Sequence, residues 1–557
     1  MKNYIIILFA FLSVTACTDA FLETENKNSV DVNTFFETEA DLLTAVNAAY
    51  TPLAHNGMFG LEYFRRQNAL DPYIWFKEPN TGWDVMNFSP VDFNRINYIS
   101  TWSDLYIGLF RTSDILLRMQ KLKTVVAGTK FKEYEAQLKA LRAMYYFYLV
   151  TWFDKAIYYD ENSIPQDYNV GLKNGTPEQF WTKIEEDLDF AKQYLPVSWD
   201  AANTGRITSG AAYALLGKAL LYKHYHYYLR FGKSNAEIQA NLEKAKTALY
   251  SIMDKKNGFT YELIKPISET QDDYKAALLS NFSYVDIPVG TTTYKAENNK
   301  ESVWEVQFNS KMQQTTAWSP GSSWGGNLLY AYYSPRGYKD QVIDPTLWDE
   351  FESTGAPAGF AKDPRAYATC YLDGDLLDWR ESSGYKIPFN STSHASLAVS
   401  QNNLYSGTSP SLAIGLKKYY YPQFFEEGET TLSAPCNVRV IRYADVLLMY
   451  AELTYLINQD ADGSGLKALN EVRKRAGMPE IATLTPENII HERNVELATE
   501  GHRYNDIVRW SFDQTVFKVD LNTLFKGRFN VNKHRYFPIP QEEIDNNKGQ
   551  LLQNAGW

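Results

Sequence analysis

The sequence predicts a mainly α fold: tetratricopeptide-like helix pairs as scaffold, interrupted by a long irregular, loop-rich region with short strands. Three observations predict it. Apolar residues recur at helical spacing in segments of similar length that come in neighbouring pairs. Small residues stand beside large aromatic ones within those segments, which lets antiparallel helices approach closely. From about 254 to 437 the texture changes to Gly, Ser, Asn, Pro and aromatics.

Taken in order, the first helix is expected over 39–50, with acidic residues in its first turn, where the helix dipole favours them. Further helices are expected over 102–122, 132–152, 176–195, 208–228 and 236–252. Ala136, Ala140 and Ala143 stand beside Tyr145, Tyr146 and Phe147, and Ala211, Ala212, Ala214 and Gly217 beside Tyr213 and Tyr222. No strict repeat of 34 residues emerges, so the pairs are expected to be divergent. Within the irregular region, 301–308 has the character of a strand. Helical periodicity resumes at 439–456, 465–476 and 486–500. Loops as long as the middle region are usually functional, so a binding surface is expected there, laid over the helical scaffold. With no linker or charge block between two halves, residues 31–557 are expected to form one domain: scaffold at 31–253 and 439–510, loop-rich binding region at 254–437.

The amino terminus has a different character. Met1-Lys2-Asn3 precedes an apolar stretch at 4–12 that is too short to span a bilayer, then Val14-Thr15-Ala16-Cys17. The last four residues resemble a bacterial lipobox, so 1–16 is expected to be a signal peptide and Cys17 a lipidated first residue of a tether over 17–30. Cys370 and Cys436 are the other two of three cysteines, and nothing in their spacing decides whether they pair. A net charge of −11, with no basic run, argues against a nucleic-acid partner. No P-loop, nucleophile elbow or zinc spacing is present, so neither a cofactor nor a metal is expected.

Several motifs together carry a family resemblance. The segment 437–452, NVRVIRYADVLLMYAE, is followed by ALNEVRKRAG at 468–477, HERNVELATEGHRYNDIVRW at 491–510 and YFPIPQEEID at 536–545. Earlier pieces run in the same order: Cys17 with Phe21-Leu22-Glu23, Ala140-Leu141-Arg142-Ala143, Gly205-Arg206-Ile207-Thr208 and Asp363-Pro364-Arg365. Together they resemble the SusD/RagB family across nearly the whole chain. The stretch 152–158 departs from the Tyr-Gly and Val-Pro-Leu-like pattern frequent in relatives. The resemblance implies a SusD-like fold and a cell-surface, outer-membrane lipoprotein without catalysis. Such a protein captures a glycan and delivers it to a SusC-like TonB-dependent transporter; the alternative it leaves open is peptide uptake of the RagB kind. The charged residues of the signature, including Arg442, Asp445, Glu452, Arg473, Glu492, Arg493, Glu496, Glu500 and Arg503, are expected to lock helices together at a half-buried interface.

A sugar ring offers a C–H face and a rim of hydroxyls, so its sites pair a flat aromatic platform with amide, carboxylate or guanidinium partners. The chain holds 13 Trp, 40 Tyr and 30 Phe, most of which the core must consume. The informative rings lie in polar segments, at 71–87 and 317–327. Comparable loops supply the platforms of glycan-binding relatives. Trp83, Trp318 and Trp324 are therefore the candidate stacking rings, with Trp75 and Tyr73 behind them and Arg65, Asn80, Asp84 and Asn327 as hydrogen-bonding partners. Trp102, Trp304 and Trp510 are expected in the core. A glycoside hydrolase would need two carboxylates about 5–10 Å apart across the cleft. The first cluster carries Asp71, Glu78 and Asp84 and the second carries no acid, so the sequence places no such pair.

Overall fold

In a computed structural model, the protein is described over residues 35–557, except 79–82, 85–97, 166–170, 310–320, 322–325, 334–340, 372–414 and 420–433. The chain enters through helix α1 (Glu39–Tyr50), whose start is fixed by a reciprocal pair: the Thr38 hydroxyl accepts from the Asp41 N–H, and the Asp41 carboxylate accepts from the Thr38 N–H. A short, wholly buried helix α2 (Glu62–Ala69) leads into strands β1 (Ile74–Glu78) and β2 (Trp83–Asp84). Five long helices follow: α3 (Tyr98–Arg118), α4 (Gly128–Trp152), α5 (Pro177–Tyr194), α6 (Ser209–Lys223) and α7 (Asn235–Met253). Each packs on the one before, as in stacked helix pairs. A Cβ added at Gly108 of α3 would lie 2.3 Å from the Tyr145 ring of α4, so glycine sets how closely these two helices approach.

The middle region is more structured than its composition predicts. It contains α8 (Gln271–Leu279), strands β3 (Ile287–Val289), β4 (Thr292–Tyr294) and β5 (Ser302–Val306), and α9 (Leu329–Tyr333). Strand β6 (Gln341–Ile343), α10 (Pro345–Glu350), α11 (Pro364–Thr369) and the short strands β7 (Cys370–Tyr371) and β8 (Gly415–Leu416) follow. Beyond them come β9 (Val438–Arg442), α12 (Tyr443–Asn458), α13 (Ser464–Arg475), α14 (Pro486–Glu496) and α15 (Arg503–Trp510). The helix expected over 439–456 therefore begins four residues late. Its first four residues, with Val438 before them, are the strand β9, antiparallel to β5 with Val306 opposite Val438 and Ser302 opposite Arg442. Four of the five β5 residues are buried, so this strand is covered on both faces and does not alternate. Trp102, Trp304 and Trp510 are all buried, and one core extends from Leu42 to Leu551. Cys370 and Cys436 are buried too, and the Cys436 thiol lies against the carbonyls of Phe282 and Asn437.

The charged signature residues other than Arg503 pair as expected, except that their interface is buried outright rather than half-buried; Arg503 is partly exposed and faces the Tyr73 ring instead. Arg442 donates to Glu301 at 2.9 Å and to Glu496 at 2.6 Å, and its Nε and Nη2 fork onto the Glu500 carboxylate at 2.7 and 2.9 Å. Arg493 joins Asp445 at 2.9 Å to Asp506 at 2.8 Å, while Glu452 takes Arg509, Trp510 and Tyr225. Burial pushes the Asp445 carboxyl up, but Lys218, Arg493 and His502 outweigh it and hold the group far below the usual range. Charges this deep must be matched, and here the matching staples β5, β9 and α12 to α14 and α15.

Candidate ligand-binding surface

The two aromatic segments are far apart in the chain, yet the stretch 55–71 runs directly into the first and, at Gly60, holds Leu328 just after the second. The first is rooted by a three-stranded antiparallel sheet in the order β2-β1-β6. Trp83 stands opposite Glu78 and Asp84 opposite Lys77, while Trp75 stands opposite Val342 of the middle region. The Arg65 carbonyl accepts from the Gln341 side chain at 2.6 Å, and the Tyr73 carbonyl from the Asp344 N–H at 2.8 Å. The second segment is held at Gly321, whose N–H donates to Asp104 of α3 at 2.8 Å, and at Leu328, whose N–H donates to the Gly60 carbonyl at 2.8 Å.

Tyr73 is half-buried and lies at the centre of a polar cluster. Its hydroxyl donates to Glu350 at 2.8 Å, its N–H donates to Asp71, and its ring faces the Arg503 guanidinium 5.4 Å away. Burial pushes the Asp71 carboxyl up to about 6. Behind Glu350 stands His491, with Nδ1 3.5 Å from Glu350 and Nε2 3.2 Å from Glu352. Burial alone would lower this imidazole, but the two carboxylates prevail and raise it to about 9, so it is a cation at neutral pH. Glu352, bonded to His491 and Arg473, is lowered to about 2. His491 opens one of the signature motifs, but its pairing with Glu350 carried no signal in the sequence, because 350 and 491 become neighbours only through the packing of α10 on α14.

Other candidates are placed differently. Arg65 is 8% exposed, lies 3.6 Å from Glu62 and stacks on Tyr332, so it supports the surface from beneath. Asn327 is fully buried, which corrects the expectation that it bonds a ligand. Its Nδ2 donates to the Cys436 carbonyl, its Oδ1 accepts from the Leu329 N–H, and its backbone bridges Ala434. It closes the base of the segment. For Trp75, Trp83 and Asp84 the strand positions are described and the side chains are not; Cys17, Asn80, Trp318 and Trp324 lie outside the described residues. Among the described residues, no group of three or more His, Cys, Asp or Glu is arranged to hold a metal ion, and no helix is long and apolar enough to cross a membrane.

Comparison with known proteins places this architecture. Residues 300–557 match the model of the SusD family, and residues 20–228 match a model described as starch-binding associating with outer membrane. A SusD-like protein P25 of Formosa agariphila is 24% identical over 100% of this chain and 98% of its own. A solved laminarin-binding SusD-like protein aligns with a TM-score of 0.66 at 24% identity, covering 94% of this chain and 100% of that one. Surface glycan-binding protein A of Bacteroides thetaiotaomicron, solved in complex with laminarihexaose, also aligns at 0.66, with 22% identity over 93% and 100% of the two chains. With both family models matching in chain order and the same fold recurring in solved members, the protein belongs to the SusD/RagB family.

Proposed function

We propose that this protein is a cell-surface glycan-binding lipoprotein, anchored in the outer membrane through Cys17, which passes captured glycan to a SusC-like TonB-dependent transporter and catalyses no reaction. The observation that supports the reading is that described residues of both segments attach to the scaffold, β1 of the first pairing with β6 and Gly321 of the second bonding to Asp104. Two structural relatives are named for binding laminarin or laminarihexaose, which favours a polysaccharide as the ligand class. In this reading Trp83, Trp318 and Trp324 provide the stacking platform. Trp75 and Tyr73 back it, and Asn80 and Asp84 supply hydrogen bonds at its rim. Stacking on an aromatic face needs no titrating group, and the charged cluster behind Tyr73 serves to hold it in place.

The test is calorimetry with protein lacking residues 1–17, against laminarin and a panel of plant, fungal and host polysaccharides. A Trp83→Ala, Trp324→Ala double variant is measured alongside. Binding of one glycan, lost in the double variant and without release of reducing ends, is the expected result. Binding of peptides with no glycan bound would overturn it.

A further inference from the structure

We infer that Trp348 and Tyr367 form a second sugar-binding surface, on the flank of α10 opposite the Tyr73 cluster, which takes a further stretch of the polysaccharide. The inference rests on the glycan-binding reading above. Among the described residues three tryptophans are half-buried: Trp199, Trp348 and Trp557. Trp199 donates its indole N–H to the Ile207 carbonyl at 2.9 Å, and Trp557 donates to the Lys533 carbonyl at 3.0 Å. The Trp348 indole N–H has no acceptor among the described residues. Its ring therefore combines a flat apolar face with an unused donor at the edge, the two things a sugar asks of an aromatic site.

The ring is held in place before any ligand arrives. Leu347 and Phe351, its neighbours along α10, are buried in the core. Tyr367 of α11, itself half-buried, meets the indole edge-on with ring centres 5.9 Å apart; Phe360 backs Tyr367 at 5.2 Å, and Tyr274 of α8 backs Phe360 at 5.8 Å. A platform already ordered loses little freedom on binding. Polar partners stand at its rim. The Lys362 ammonium lies 5.5 Å from the centre of the Trp348 ring and 4.0 Å from Asp349, whose side chain is 77% exposed, and Lys275 lies 5.8 Å from the centre of the Tyr367 ring. Residues two apart on a helix point to opposite sides, so Trp348 and Glu350 divide α10 between two surfaces. Glu350 faces Tyr73 and His491 on one flank, and Trp348 faces Tyr367 and Lys362 on the other. Two sites on one body let a polymer engage both and gain affinity from the second contact.

Two measurements on protein lacking residues 1–17 test this, with laminarin and the polysaccharide panel as probes. In calorimetry Trp348→Leu, which keeps an apolar contact with Tyr367 but removes the flat ring and its donor, should bind the recognised polysaccharide about tenfold more weakly, the worth of one stacked ring, while melting within a few degrees of the parent. In the parent, oxidation of tryptophans by N-bromosuccinimide, mapped by mass spectrometry, should modify Trp348, and the bound polysaccharide should slow that modification severalfold. A purely structural role for the ring would not give this protection. Unaltered affinity in Trp348→Leu, or oxidation of Trp348 that the polysaccharide does not slow, would overturn the inference. If Trp348→Leu does not fold, protection of the parent decides alone. A parent that binds polysaccharide with Trp348 uninvolved leaves the functional reading standing and sinks this inference; a parent that binds no polysaccharide sinks both.

Discussion

Replacing Arg442 by Met removes the cation at the centre of the buried signature and leaves three carboxylates to find other partners. Glu301 keeps Arg475 at 3.3 Å, and Glu496 keeps Arg475 and Arg365. Glu500 keeps Lys418 at 2.7 Å but loses a two-pronged guanidinium, so it is the stranded charge. Breaking a fully buried pair by removing one partner costs about 3–5 kcal/mol, a large part of a stability that is commonly about 5–15. The pH dependence gives a second handle. Burial pushes Glu500 up, and Arg442 and Lys418 hold it below its ordinary value, so in the parent its stabilisation is present above pH 4.5 and lost as pH falls through its folded pKa. Without Arg442 burial prevails and the carboxyl rises. The deficit of the variant is then greatest near pH 8 and shrinks towards pH 4.5, where a protonated Glu500 needs no guanidinium. Urea unfolding followed by tryptophan fluorescence at both pH values measures this, and Glu500→Gln in the Arg442→Met background should recover about 1–2 kcal/mol at pH 8. A loss below about 1 kcal/mol, or one independent of pH, would refute the view that this network is stabilising through matched buried charge.

Three further outcomes are expected. His491, raised to about 9 from 6.5, stabilises the fold fully below pH 6.5 and loses that contribution as pH rises through 9; His491→Gln should cost about 1 kcal/mol at pH 7 after screening of a partly exposed ring, and nothing at pH 10. Glu297 is pushed by burial up to about 8, so the parent loses stability as pH rises from 4.5 through 8. Glu297→Gln, which still accepts from the Asn437 N–H, should therefore melt higher than the parent at pH 9 and nearly the same at pH 5. Gly108→Ala inserts a methyl against the Tyr145 ring and should destabilise by about 1–3 kcal/mol in thermal unfolding, whereas Gly128→Ala, which meets nothing within 4 Å, should not.

The helices were legible because their information is local. At 39–50 the acidic first turn and apolar spacing coincide with the observed ends, and at 176–195 they come within one residue of them. The 439–456 expectation failed at its start because a β-branched run adjoining a strong helix gives no local sign of which state wins. That choice is made by β5, more than a hundred residues away. The same cause hid the pairing of β1 with β6, and α8, only nine residues long, was passed over when 254–437 was read as one loop-rich region. Of the candidate site, the two segments are proposed from rings in polar surroundings. The role of Asn327 was not legible, since an asparagine in a polar loop looks alike whether it faces a sugar or the carbonyl of a residue 109 positions on.

The pairing of Val306 with Val438 means that the chain leaves the scaffold at one strand and re-enters at its immediate neighbour. Everything between is an excursion with adjacent ends, and the entropy of closing such a loop grows only logarithmically, by about 0.6 kcal/mol for each doubling of length. Insertions or deletions between 307 and 437 are therefore tolerated by the helix stack only where they spare the residues that tie this stretch to it, such as Gln341, Glu350, Glu352, Arg365 and Lys418. The strand pair thus marks where the middle region leaves the helical scaffold and where it rejoins it, two points that stand side by side.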